Sequence, residues 1–109
     1  MPAIDIKKSD WKLFRERLPE WQEKYMERLV EEYVELLKSD ALASDKFWKL
    51  EERIKQDKRK PGVLLTLEKK NVDIDLKQLI KDEVIGFRDL DGFSPELIDR
   101  VVELYHMKW

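Results

Sequence analysis

Apolar positions along this chain recur at three- and four-residue intervals through most of its length, the period of one face of an α-helix and not of a strand. Trp11, Phe14, Leu18, Trp21 and Tyr25 open the pattern, with Ser9 placed where a hydroxyl would cap a helix beginning at Asp10. Pro19 falls inside this stripe. Its ring removes a backbone donor and crowds the preceding turn, so the pattern predicts two helices meeting at Pro19, or one sharply bent helix. Beyond it, Met26, Leu29, Val30, Tyr33, Val34, Leu36 and Leu37 form a face wider than a two-stranded coiled-coil seam. The stretch from Pro19 to Lys38, about 30 Å long as a helix, is therefore expected to be the central spine.

Residues 39–44 read as a loop, and 45–59 as an amphipathic helix carrying Phe47, Trp48, Leu50 and Ile54 and ended by Pro61-Gly62. Val63 to Leu67 fits a buried strand or a helical turn, with the helical reading preferred. Asp75 and Gln78 have capping-box spacing for a short helix through Leu76, Leu79 and Ile80 toward Val84, closed near Gly86. Ser94-Pro95-Glu96 combines an N-cap hydroxyl, proline at the first helical position and an acid facing the dipole, and Leu97, Val101, Leu104 and Tyr105 follow at helical spacing. The expected fold class is all-α: a small compact bundle of four to six helices around one long central helix. Residues 1–109 form one domain, with 1–8 as an N-terminal tail.

Composition sharpens this picture. In 109 residues there is no Cys, which excludes disulfide scaffolds, thiolate metal sites and thiol nucleophiles and favours a reducing, cytoplasmic compartment. The N-terminus lacks an apolar core with a small-residue cleavage site, and the apolar runs are too short for a membrane span. Hydrophobic and charged residues each make up 42%, so the chain has enough apolar surface to fold despite its charge.

The 22 basic and 24 acidic residues nearly cancel but are unevenly spread. Lys46, Lys49, Arg53, Lys55, Lys58, Arg59 and Lys60 make the middle basic, whereas the last third is acidic. This basic stretch is the candidate for a polyanion partner. The stronger reading is that cations at the end of a helix complement its dipole and form solvated faces.

Motifs for chemistry fail when spacing is checked. Asp89-Leu90-Asp91-Gly92 resembles the middle of a calcium loop, but with Gly92 at the sixth position Phe87 takes the first ligand place and Ile98 the twelfth, where a bidentate Glu is required. The sequence reads instead as a turn in which Asp side chains bond local amides and Gly92 takes a positive φ. His106 is the single histidine, expected at a helix end, and the three glycines are too scattered for a phosphate loop. No catalytic, cofactor-binding or metal-ligating residue is assigned, no cofactor is expected, and the chain reads as a non-enzyme.

From Trp11 to Leu67, and again at Val84-Ile85-Gly86-Phe87-Arg88-Asp89-Leu90 followed by Phe93-Ser94, the chain resembles a family of short all-helical bacterial proteins of unknown function. The features that carry the resemblance are the Trp11 to Tyr25 stripe, Ala43-Ser44-Asp45-Lys46-Phe47-Trp48, the Lys-rich stretch before Pro61-Gly62-Val63 and the acidic turn before the last helix. Some members carry the label multidrug transporter, which does not fit a chain without a membrane-spanning segment. The resemblance implies a fold and transfers no functional residue.

Most of the aromatics read as core, but four Trp in so short a chain is many, and Trp and Tyr also dominate interface hot spots. Trp109 and one of Phe47 and Trp48 are expected to be exposed. The functional expectation is a cytoplasmic protein-interaction module, binding another protein or forming a homodimer, with no membrane contact. Its alternative is a small nucleic-acid-associated regulator using the basic helix 46–60. The candidate surface comprises Trp48, Lys55, Lys58, Arg59 and Trp109.

Overall fold

The computed structural model describes residues 4–107, and all regular structure among them is helical. The helices are α1 (Lys8–Lys38), α2 (Ala43–Asp57), α3 (Val72–Lys81) and α4 (Pro95–His106), with 3-10 turns at Lys69–Asn71 and Phe87–Leu90. Phe14, Leu18 and Trp21 on the first half of α1 meet Val72, Leu76, Leu79 and Ile80 of α3 and Leu97 and Val101 of α4. Ile6, ahead of α1, and Ile85, Leu90 and Phe93 from the connecting segments close this core. α2 gives it nothing: the buried residue of that helix is Asp57. The second half of α1 and the antiparallel α2 therefore form a hairpin extending beyond the core, in a molecule measuring 52 × 30 × 22 Å.

The expected all-helical bundle with one long helix is present, but several boundaries differ. α1 is a single 31-residue helix with Pro19 inside it, so the two-helix reading is corrected. The carbonyl that Pro19 leaves without a helical donor belongs to Arg15, and both residues are exposed, so water can satisfy the oxygen. The spine reading shifts accordingly, because the core assembles on the half of α1 before Tyr25. α1 begins at Lys8 without a side-chain cap, so Ser9 lies within the helix. α2 starts and ends two residues before its expected limits.

Residues 64–68 are neither strand nor helix but a connector, which corrects the helical reading of Val63 to Leu67. Exposure of Leu64 and Leu67 removes the burial that either regular form would have required. Asp75 is not a cap, since α3 has already begun at Val72. Gly86 does not close that helix either. Glu83 does so, at φ 60°, with Val84 N–H bonding Leu79 O at 2.9 Å and Glu83 N–H bonding Ile80 O at 3.0 Å. This is a Schellman end with a non-glycine residue in the left-handed position, and the Arg28 guanidinium secures it by donating to Glu83 O at 2.8 Å. Gly62 earns its identity by close approach, because a Cβ there would lie 2.5 Å from the Tyr25 ring and 2.7 Å from Val84.

Ser94 caps α4 as the sequence predicts, its hydroxyl accepting from Leu97 N–H at 3.3 Å. Asp10 of α1, itself buried, completes the cap from 84 residues away: its carboxylate accepts the Ser94 N–H at 2.8 Å and the Ser94 hydroxyl at 2.5 Å. The start of the first long helix and the start of the last are thus locked by one carboxylate. Nearby, Lys7 pairs with Glu96 at 3.1 Å. The backbone amide at the helix start, and then Lys7, hold the Glu96 carboxyl below its ordinary value.

Asp10→Ala leaves the partly buried Ser94 N–H and hydroxyl without their acceptor and is expected to cost about 2 kcal/mol by denaturant titration. Added to Ser94→Ala, the same change should cost clearly less, because the pair acts as a unit. Glu83→Gly removes the left-handed penalty and should stabilise the fold by about 0.5–1 kcal/mol, whereas Glu83→Val should destabilise it by at least as much.

Candidate functional site

The α1–α2 hairpin is held by a polar latch. Tyr33 of α1 donates its hydroxyl to the buried Asp57 carboxylate at the end of α2. Arg53 donates to Glu32 at 3.2 Å, lies 3.7 Å from Asp57, and sets its guanidinium 5.4 Å from the centre of the Tyr33 ring. Lys60 approaches the other Asp57 oxygen at 3.7 Å. Burial first, then the hydrogen bond to Asp57 and that carboxylate's charge, push the Tyr33 phenol up to about 12. The proton therefore stays on the tyrosine, which acts as a donor throughout the physiological range. Gln22 extends the latch toward the core by donating to Pro61 O at 2.9 Å.

Beside the latch the hairpin is apolar and open. Met26, Val30, Val34 and Leu37 of α1 are exposed, as are Phe47 and Ile54 of α2. At 100° per residue the four α1 residues fall within a sector of about 80°, pointing away from the Phe14, Leu18 and Trp21 side. Phe47, Leu50 and Ile54 share a sector of about 60° on α2. The two sectors belong to one face, because Met26 and Val30 line a common cavity of about 210 Å³ with Ile54 and Lys58. From there a cleft of about 420 Å³ continues over Phe47 and Leu50 to Lys55, and another of about 400 Å³ runs over Met26 and Val30 to Glu23, Glu27 and Glu31. This face is an apolar strip with an acidic border on α1 and lysines on α2.

The sequence-selected residues lie next to this strip more than within it. Phe47 and Trp48 are both exposed, at 63% and 61%, their rings in an edge-to-face contact with centroids 4.9 Å apart. Trp48 and Lys55, two turns apart, share the outer sector of α2, with Lys58 at its C-cap and Arg59 in the following turn; all three cations are exposed. Glu51 and Glu52 stand among them, and Arg53 and Lys60 are engaged in the latch. Trp109 lies outside the described residues. Sequence reading missed the α1 half of the strip, because apolar residues at helical spacing look the same whether a neighbour covers them or not.

Two polar places lie apart from the strip. A cleft of about 370 Å³ is lined by Arg17, Glu20, Trp21, Lys24, Val84, Arg88, Asp89 and Asp91. Here the expected turn is found: the Asp89 carboxylate accepts from Gly86 N–H at 2.8 Å, and Gly92 has φ 98°. Arg17 donates to the carbonyls of Asp89 and Asp91 at 3.2 and 2.5 Å, fastening this turn to α1. Among the described residues there is no cluster of three or more His, Asp and Glu able to hold a metal. His106 ends α4, exposed, with its ring against Tyr105. The second place is α3, where Asp73 bonds Arg100 of α4 at 3.3 Å while Asp75 keeps a buried Oδ2 with no hydrogen-bond partner among the described residues.

Burial, then Asp73 and Glu68, push the Asp75 carboxyl up to about 6. A carboxyl whose folded value exceeds its unfolded one binds a proton more tightly in the folded state, so stability falls as pH rises from about 4 through about 6. Asp75→Asn should therefore raise the unfolding free energy at pH 7.5 by about 1 kcal/mol, allowing for solvent screening, and the gain should vanish below about pH 4. Paired denaturation curves at the two pH values check this.

No helix among the described residues is long and apolar enough to cross a membrane. Comparison of the chain with protein-family models, curated proteins and solved structures finds no match in any of the three.

Proposed function

We propose that the protein is a non-enzymatic, cytoplasmic protein-interaction module whose working surface is the apolar face of the α1–α2 hairpin. One observation carries the reading: six large apolar side chains stand exposed along two packed helices, on a part of the molecule the core does not need. Contiguous exposed apolar surface of this kind, rimmed by charge, is what a docking surface requires and what a free surface avoids. The nucleic-acid alternative is weaker. Two of the seven cations in the basic stretch are tied to Asp57, and Glu51 and Glu52 dilute the rest.

Replacing Val30 by Asp and Phe47 by Ser alters two exposed positions and should leave the helical circular dichroism intact. The double variant is expected to lose every protein that the immobilised wild-type chain retains from its source lysate, and to lose any self-association as well. Retention and association unchanged by the double variant would overturn the reading.

A further inference from the structure

The charge pattern on the hairpin face specifies its own complement, and we infer that the strip takes a second copy of this chain, joined about a two-fold axis parallel to the hairpin helices. The inference rests on the interaction-module reading and adds the identity of the partner.

The borders of the strip carry the argument. On α1 the edge away from α2 is formed by Glu27 and Glu31, with Lys38 following on the same sector toward the hairpin tip. On α2 the edge away from α1 is formed by Lys55 and Lys58, with Glu51 nearer the tip. Three contacts fix the register of the antiparallel helices: Tyr33 on Asp57, Glu32 with Arg53 and Gln22 with Pro61. In that register Glu31 stands level with Lys55, Glu27 with Lys58, and Lys38 within a turn of Glu51.

Two copies can meet face to face about two in-plane axes. An axis across the helices lays α1 on α1 and sets one acidic border against the other, which like-charge repulsion disfavours. An axis along the helices lays α1 of each copy on α2 of its partner, antiparallel and with levels preserved. Glu27 and Glu31 then face the partner's Lys58 and Lys55, Lys38 approaches its Glu51, and the symmetry makes every pair twice. The apolar residues between the borders close into a four-helix bundle of two hairpins. Because the core side of α1 points the opposite way, the two cores lie on the outside of this bundle. A face two helices wide and about four turns long is at the small end of specific interfaces, so the dimer is expected to dissociate in the micromolar range.

Sedimentation equilibrium of the full chain from about 1 to about 300 µM tests this with a charge exchange. Lys55→Glu with Lys58→Glu in one variant, and Glu27→Lys with Glu31→Lys in another, should each weaken self-association at least tenfold. An equimolar mixture should restore a heterodimer of wild-type strength, since both interfaces regain opposite charges. All four positions are exposed, and circular dichroism verifies the fold of each variant. A chain monomeric to 300 µM, or a dimer whose strength ignores the reversals and their mixing, overturns the self-pairing. Whether the Val30→Asp, Phe47→Ser variant still loses lysate proteins then decides separately whether the module reading falls with it.

Discussion

A single unbroken helix sets the terms for the rest of this molecule. At 31 residues α1 is about 46 Å long, far more than two helices of 10 and 12 residues and their connecting turns can cover. Its first half becomes one wall of the core, and its second half must find other company. α2 folds back on that half, but with one turn of the chain at the tip and a latch at the base it covers only one side. The exposed strip follows from this mismatch of lengths, and continuity through Pro19 produces the mismatch. Had the proline ended the helix, the two halves could have packed on each other.

Buried carboxylates join the elements that the chain separates. Asp10 ties α1 to the start of α4, Asp73 ties α3 to Arg100 of α4, and Asp57 ties the end of α2 to Tyr33. Each is nearly inaccessible and each is matched by donors from another element, the condition under which a buried charge is tolerated. The core supplies nonspecific cohesion, while these bonds determine which helix end meets which. The contrast with Asp75 is instructive, since one of its oxygens is buried without a donor and its protonation is raised accordingly.

Helical class, the presence of one long helix and the Ser94-Pro95 start were legible because they depend on local chemistry, periodicity and capping, whereas the passage of α1 through Pro19 was not. What escaped depends on distant partners. Asp10 reads as an ordinary first-turn acid until Ser94 is brought against it, and Ser9 looks the better cap from sequence alone. The end of α3 was sought at a glycine, whereas Glu83 takes the left-handed position with Arg28 of α1 holding its carbonyl. On the surface, Trp48, Lys55, Lys58 and Arg59 were selected by residue type and are exposed, but Met26, Val30, Val34 and Leu37 read as core. Periodicity states that a helix has an apolar side and is silent about how many neighbours arrive to cover it.

The place of α2 outside the core separates two demands that most small domains impose on the same residues. Its single buried group is a carboxylate at its last residue, so nearly every other position along it can change without disturbing the packing on which folding depends. Selection can therefore rewrite the outer helix, its charge order and its aromatic content while the fold is maintained by α1, α3 and α4. In evolutionary terms the residues along α2 answer to whatever meets the hairpin face and not to the core beside it.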